Sequence, residues 1–276
     1  MRGFSFHVEI AEEQMRFSAP IVVFQVGKVG SITIQKALQD LQLGVPIYHC
    51  HCLANFEWVL ERARTHLPNF SEAPLKGGAK TSLETWKEIR DKFDASDKRW
   101  HFISAVREPV TRNVSAFFQG IQERIPDFAV RVAQGITIQE VEQVFLDDVI
   151  ANQAPHIWFE KQFEPVVGVD VYQGPYPFKE GFQIFETERA RALLLRLEDF
   201  EWALENAMNS FLGIPDFKIS DKRNTSEEKA YGDFIKRFLR EIRLPDWYLK
   251  SQYESQYARH FYTDEEREEL MAKWRR

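Results

Sequence analysis

Residues 27–33, Gly27-Lys28-Val29-Gly30-Ser31-Ile32-Thr33, join an apolar run to a stretch with helical spacing. A strand-to-helix turn of this kind can hold an anion, because glycines let the backbone approach and the first N–H groups of the helix have no partner within it. The lysine stands in an unusual place. A nucleotide-hydrolysing phosphate loop ends in Gly-Lys-Ser/Thr, whereas Lys28 comes first and is followed by Gly30, Ser31 and Thr33.

Two further segments carry reactive types. Val106-Arg107-Glu108-Pro109-Val110-Thr111-Arg112-Asn113-Val114-Ser115 places Arg107 at the end of another apolar run and Ser115 two turns into the helix behind Pro109. A guanidinium at a strand exit suits bidentate phosphate recognition. Taken alone, Arg107 to Arg112 also reads as a strand end tied to a helix start, with Arg112 structural. His49 and His51 lie in His-Cys-His-Cys and share a strand face; imidazoles exchange protons near neutral pH. A metal reading fails because successive strand residues point to opposite faces and no distant cysteine pair completes a zinc set. No metal is expected. Cys50 and Cys52 are spaced too far along a strand to bridge comfortably, so both are expected reduced.

The elements that must position these residues follow from periodicity. Residues 20–26, 45–51, 100–106 and 192–197 read as strands, the first a continuous apolar run suited to a sheet buried on both faces. Helical spacing is expected over 31–41, 56–64, 110–122, 137–152 and 154–162, and from Glu198-Asp199 to Leu212. Glu198 and Asp199 then read as helix N-terminal charge and cap. Residues 68–82 read as a polar loop, 166–172 and 181–186 as a short antiparallel pair, and 226–275 as helices broken at Pro245 and near Thr263. Alternating strands and helices give an α/β fold, an open parallel sheet flanked by helices with a helical C-terminal region, as one domain over residues 1–276. In such a sheet, ligands bind beyond the carboxyl ends of the strands, where all three segments fall.

Composition excludes some classes. The chain of 276 residues is 44% hydrophobic, enough for a full core, and has no run near the roughly 20 apolar residues of a membrane span. A cytoplasmic location is expected, since the N-terminus is too mixed for a signal peptide. A net charge of −6 argues against a nucleic-acid partner, although a local basic site can still take one small anion. The 23 phenylalanines are expected in core and helix packing.

Together these residues resemble the sulfotransferases that use 3′-phosphoadenosine-5′-phosphosulfate, in particular the carbohydrate branch. That family carries Pro-Lys-x-Gly/Ala and a run of Ser/Thr after strand one, and Arg-Asp/Glu-Pro-x-x-Arg-x-x-Ser after strand three. Arg107, Glu108, Pro109, Arg112 and Ser115 fill the second signature, and Leu195-Arg196-Leu197-Glu198-Asp199 is similar to a late motif of the same enzymes. More narrowly, the chain resembles bacterial capsular polysaccharide synthesis proteins, through Trp158-Phe159, Gly168-Val169-Asp170-Val171-Tyr172 and His260-Phe261-Tyr262. The resemblance covers most of the chain in order. It departs at Gly27, where the family usually has Pro, and at Ile32, a position often hydroxylated.

The resemblance implies roles. Lys28 would neutralise the 5′-phosphate and the bridging oxygen, with Gly27, Val29, Gly30, Ser31, Ile32 and Thr33 forming the loop around that phosphate. Arg107 and Ser115 would hold the 3′-phosphate; the basic cluster Lys218, Lys222 and Arg223 reads equally as a solvated loop or, as the resemblance implies, as a late basic loop that closes over the adenosine and the 3′-phosphate. His51, or His49 in its place, would take the proton of a hydroxyl acceptor, expected to be a glycan. Two alternatives stand beside this: a catalytically silent glycan- or protein-binding relative, and a nucleotide kinase on the same fold, which would need the missing Walker lysine.

Overall fold

Five strands form the sheet in the order β2-β1-β3-β5-β4, with β1 (Ile21–Phe24), β2 (Ile47–Cys50) and β3 (Trp100–Val106) followed by β4 (Phe182–Glu186) and β5 (Ala190–Arg196). The computed structural model describes residues 18–66, 82–148, 155–215, 217–218 and 231–275. Most of the loop expected at 68–82, together with Lys222 and Arg223, lies outside the described residues. So do residues 149–152 at the end of one expected helix, residue 154 at the start of another, and 226–230 at the start of the C-terminal helices. β1 pairs in parallel with β2 and β3, and β3 in parallel with β5, while β4 runs antiparallel to β5. The fold is α/β with a mostly parallel sheet, as the alternation of elements implied.

Every residue of β1 is buried, as a central parallel strand covered on both faces requires. On one face Ile21, Val23, Ile103 and Leu193 pack against helix α1 (Ser31–Asp40), through Ile34 and Leu38, and against α9 (Phe200–Leu212), through Met208 and Phe211. On the other face Val22, Phe24, Phe102 and Leu194 meet Trp158, Phe159 and Phe163. Phe159–Phe163 is a π-helical turn, continued by α8 (Glu164–Val167).

The remaining helices are α2 (Phe56–His66), α3 (Ser82–Asp94), α4 (Pro109–Gln119), α5 (Ile121–Arg124), α6 (Phe128–Ala133), α7 (Ile138–Asp147), α10 (Gly232–Glu241), α11 (Asp246–Tyr253), α12 (Gln256–Phe261) and α13 (Asp264–Trp274). A third apolar cluster joins α4, α6, α7, α10 and α11 through Phe117, Phe118, Phe128, Phe145, Phe238 and Tyr248. Most aromatics therefore serve packing, as expected.

One strand assignment is corrected. Residues 166–172 do not pair with 181–186: Val166 and Val167 close α8, Gly168 turns the chain at φ 78°, and β4 pairs with β5 instead. The β-branched run misleads because its valines are buried from a helix. The helix expected over 110–122 also stops at Gly120, where Arg124 Nη1 caps the carbonyl at 2.7 Å, and restarts as α5.

The parallel order sets the site. β1 lies between β2 and β3, so the crossovers after β1 and after β3 leave in opposite directions and open a crevice beyond the carboxyl ends of these two strands.

Candidate active site

The four parallel strands end in a row of chemistry. In strand order, His51 follows β2, Lys28 lies in the loop after β1, Arg107 follows β3, and Glu198 follows β5. Adjacent strands are about 4.8 Å apart, which brings each group within reach of the next.

Residues 25–30 link β1 to α1, the strand-to-helix turn expected there. Gly30 precedes α1 at φ 90° and offers no side-chain cap, so the first N–H groups of the helix keep their donors. Lys28 adopts φ 76°, a left-handed conformation that costs a non-glycine residue roughly 1–2 kcal/mol. Such a conformation persists where its surroundings impose it, and it is common in ligand clamps. Val29 is fully buried in the core and anchors the loop from below. Ser31 is buried and Thr33 half-buried, whereas Ile32 is 67% exposed on the first turn. Gly30 is also needed for space: a Cβ there would stand 3.0 Å from Leu197 Cδ1.

Arg107 joins the loop. Its Nη1 donates to the Lys28 carbonyl at 3.1 Å, leaving most of its five donors for a ligand. Its backbone is clamped by Tyr257, whose hydroxyl accepts from the Arg107 N–H at 2.9 Å and donates to the Arg107 carbonyl at 2.9 Å. Burial pushes the Tyr257 hydroxyl well above its usual value, so it remains a donor. Arg112 is structural, as expected. It is buried and its Nε donates to the Gly27 carbonyl at 3.0 Å, tying α4 to the loop; burial lowers its pKa to about 10, which leaves it charged at neutral pH. Ser115 is half-buried one turn further along α4, on the same helix face as Arg112.

Glu108 caps α4, accepting from Val110 N at 2.8 Å and Thr111 N at 2.7 Å, with further bonds from the Thr111 and Tyr253 hydroxyls. Its carboxylate is committed to structure. Glu198 differs. It accepts from the Glu108 N–H at 2.8 Å and from the Tyr262 hydroxyl at 3.2 Å, yet the residue is exposed. Surrounding protein mass pushes its carboxyl above the ordinary carboxylate range, opposed by the N–H bonds and Arg107. Asp199 is buried and holds the fold instead. It receives Arg196 Nε at 2.6 Å and Nη2 at 2.8 Å, while Arg196 Nη1 binds Glu266 at 2.9 Å. That guanidinium fastens β5 to α13.

His51 and His49 meet edge to face with ring centres 4.6 Å apart. The His51 Nδ1 lies 2.7 Å from the Gln25 carbonyl, so Nδ1 carries the proton and Nε2 is the free base. Nε2 faces the start of the loop, 3.9 Å from where a Gly27 Cβ would stand. Burial lowers the His51 pKa below 6.5 against the opposing pull of the Gln25 bond, and the charges of Arg112 and Lys28 lower it further. His49 is lowered to about 4, by burial and then by His51, and its Nε2 is buried without a hydrogen-bond partner among the described residues. Geometry thus favours His51 over His49 as a proton acceptor. Cys50 and Cys52 are both free and buried, and among the described residues no group of three or more His, Cys, Asp or Glu side chains converges as a metal set would.

Sequence reasoning missed Tyr257, and it gave Tyr262 and Glu198 as parts of motifs that carry the resemblance, with Glu198 also read as helix charge, but not the contacts they make. The hydroxyl of Tyr257 acts on a residue 150 positions away, and no local pattern signals such a contact.

A family model described as "Putative capsular polysaccharide synthesis protein" matches residues 129–263. The matched stretch holds β5, Glu198, Tyr257 and Tyr262, while the anion loop, His51 and Arg107 precede it. No curated protein and no solved structure matches the chain. Among the described residues no helix is long and apolar enough to cross a membrane.

Proposed function

We propose that the chain is a sulfotransferase that moves a sulfuryl group from 3′-phosphoadenosine-5′-phosphosulfate to a hydroxyl of a carbohydrate. The observation that carries this reading is the hydrogen bond from Arg107 to the Lys28 carbonyl, which joins two separate cationic strand ends into one site beside an uncapped helix N-terminus. A donor with phosphates at both its 5′ and 3′ positions needs two such anion sites. The family match supports a carbohydrate-related role, since its description concerns capsular polysaccharide synthesis.

In this reading the amides of residues 30–33 and Lys28 hold the 5′-phosphate, while Arg107 and Ser115 hold the 3′-phosphate. The acceptor oxygen attacks sulfur, the bond from sulfur to the bridging oxygen breaks, and negative charge collects on the departing phosphate beside Lys28. His51 Nε2 receives the hydroxyl proton, with the Gln25 carbonyl fixing the tautomer. The nucleoside lies toward β5, where Leu197 and Phe200 stand against Gly30 and present an apolar wall. The acceptor then enters from the β2 side, past His51 and Trp86, whose ring centres are 5.7 Å apart.

Incubating the protein with donor carrying labelled sulfate and a panel of capsular and other polysaccharides tests the reaction. Label should appear on a glycan and depend on Arg107. Transfer of the γ-phosphate from ATP instead would place the chain among kinases.

A further inference from the structure

We infer that Glu198 is the residue that recognises the ribose of the donor, accepting a hydrogen bond from its 2′-hydroxyl beside the Arg107-bound 3′-phosphate. The inference rests on the proposed function and adds a specificity-determining residue to it.

Register places the two groups side by side. Val106 pairs with Arg196, so Glu198 stands opposite Glu108 one strand over, and the 2.8 Å bond from the Glu108 N–H to the Glu198 carboxylate holds that relation. Two adjacent ribose substituents can thus be met by two adjacent strand ends. The pairing fits by charge as well: a guanidinium offers donors to a phosphate, and a carboxylate offers only acceptors, which suit a hydroxyl.

The carboxylate is also held in advance. The Glu108 N–H and the Tyr262 hydroxyl both donate to it, which uses two of its roughly four lone-pair sites and leaves about two for a ligand. Tyr262 is itself buried, and its ring packs with its centre 5.4 Å from the Arg196 guanidinium. Since those donors fix the side chain, binding a hydroxyl orders little more. Glu108 cannot do the same work, because its oxygens are taken by the α4 cap and by Tyr253.

Other groups on this edge are less suited. His51 lies at the far side of the row, three strands from Glu198, and Asp199 is closed in by Arg196.

Calorimetric titration of the full chain with adenosine 3′,5′-bisphosphate and with its 2′-deoxy analogue tests the inference without any mutation. Loss of a hydrogen bond to a charged group should weaken the deoxy compound by roughly 10- to 100-fold. In Glu198→Gln, whose amide oxygen can still accept from the Glu108 N–H, the gap should shrink to within about threefold. Equal binding of the two nucleotides by the unmodified protein, or an undiminished gap in Glu198→Gln, would overturn the assignment while leaving the donor intact. Failure of both nucleotides to bind would overturn the donor itself and this inference with it. A Glu198→Gln protein that keeps the gap but loses turnover would make Glu198 a proton acceptor, and that too would overturn it.

Discussion

Replacing Lys28 by alanine should lower sulfuryl-transfer turnover by roughly 100- to 1000-fold, the loss seen when one preorganised oxyanion donor is removed. Affinity for adenosine 3′,5′-bisphosphate should fall much less. The difference arises because charge on the bridging oxygen grows only as the sulfur–oxygen bond breaks, so a cation placed there acts more strongly on the transition state than on the bound donor. The left-handed Lys28 backbone sits between the Gly27 carbonyl, held by Arg112, and its own carbonyl, held by Arg107. These contacts fix the backbone that carries the ammonium group. Single-turnover transfer measured beside calorimetry separates the two effects; equal losses in both would make Lys28 a binding residue only.

His51→Ala should lower the transfer rate by roughly 100- to 10,000-fold and leave bisphosphate affinity nearly unchanged. Its imidazole lies on the β2 side of the loop, away from Leu197, where the nucleoside is proposed to lie, so donor binding should not need it. The pH profile carries an independent signature. Because burial and the neighbouring cations hold the His51 pKa below 6.5, the ring is neutral and basic at pH 7, and the acid limb of the rate profile should fall below pH 6.5. That limb should vanish in His51→Ala. His49→Ala should be the milder change, since the His49 Nε2 is buried, with no hydrogen-bond partner among the described residues. A dead His49→Ala beside a fully active His51→Ala would exchange their roles.

Much of the candidate site was legible because the residue types that suggest it are local. Trp100–Val106 is a strand by sequence and in the structure, since an apolar run closed by Arg-Glu-Pro leaves little alternative. The loop from Gly27 to Thr33 was legible from glycine, lysine and hydroxyl types alone. α3 was not legible, although Leu83, Trp86, Ile89 and Phe93 recur at helical spacing, because every other residue of the helix is polar or charged and dilutes the apolar signal. The antiparallel partner of β4 was misplaced because β-branched residues favour strands only where the surroundings are a sheet, and Val166 and Val167 are buried from α8. The contacts of Tyr257 and Tyr262 were illegible for another reason. Their hydroxyls hold Arg107 and Glu198 across the fold, and a phenol reads in sequence as one more aromatic in an aromatic-rich tail.

The proposed reaction requires one ligand to bridge the Lys28 loop and Arg107 through two phosphates, and isothermal titration with adenosine 3′,5′-bisphosphate, AMP and ATP with Mg²⁺ decides whether it does. AMP lacks the 3′-phosphate and so loses the charge-assisted contact with Arg107, worth about 1.5–3 kcal/mol. The bisphosphate should therefore bind at least about tenfold more tightly than AMP, and ATP should gain nothing comparable from its extra phosphates. In Arg107→Ala the preference over AMP should disappear. Equal affinity for all three nucleotides in the unmodified protein, or a preference for ATP that requires Mg²⁺, would rule the bridging donor out.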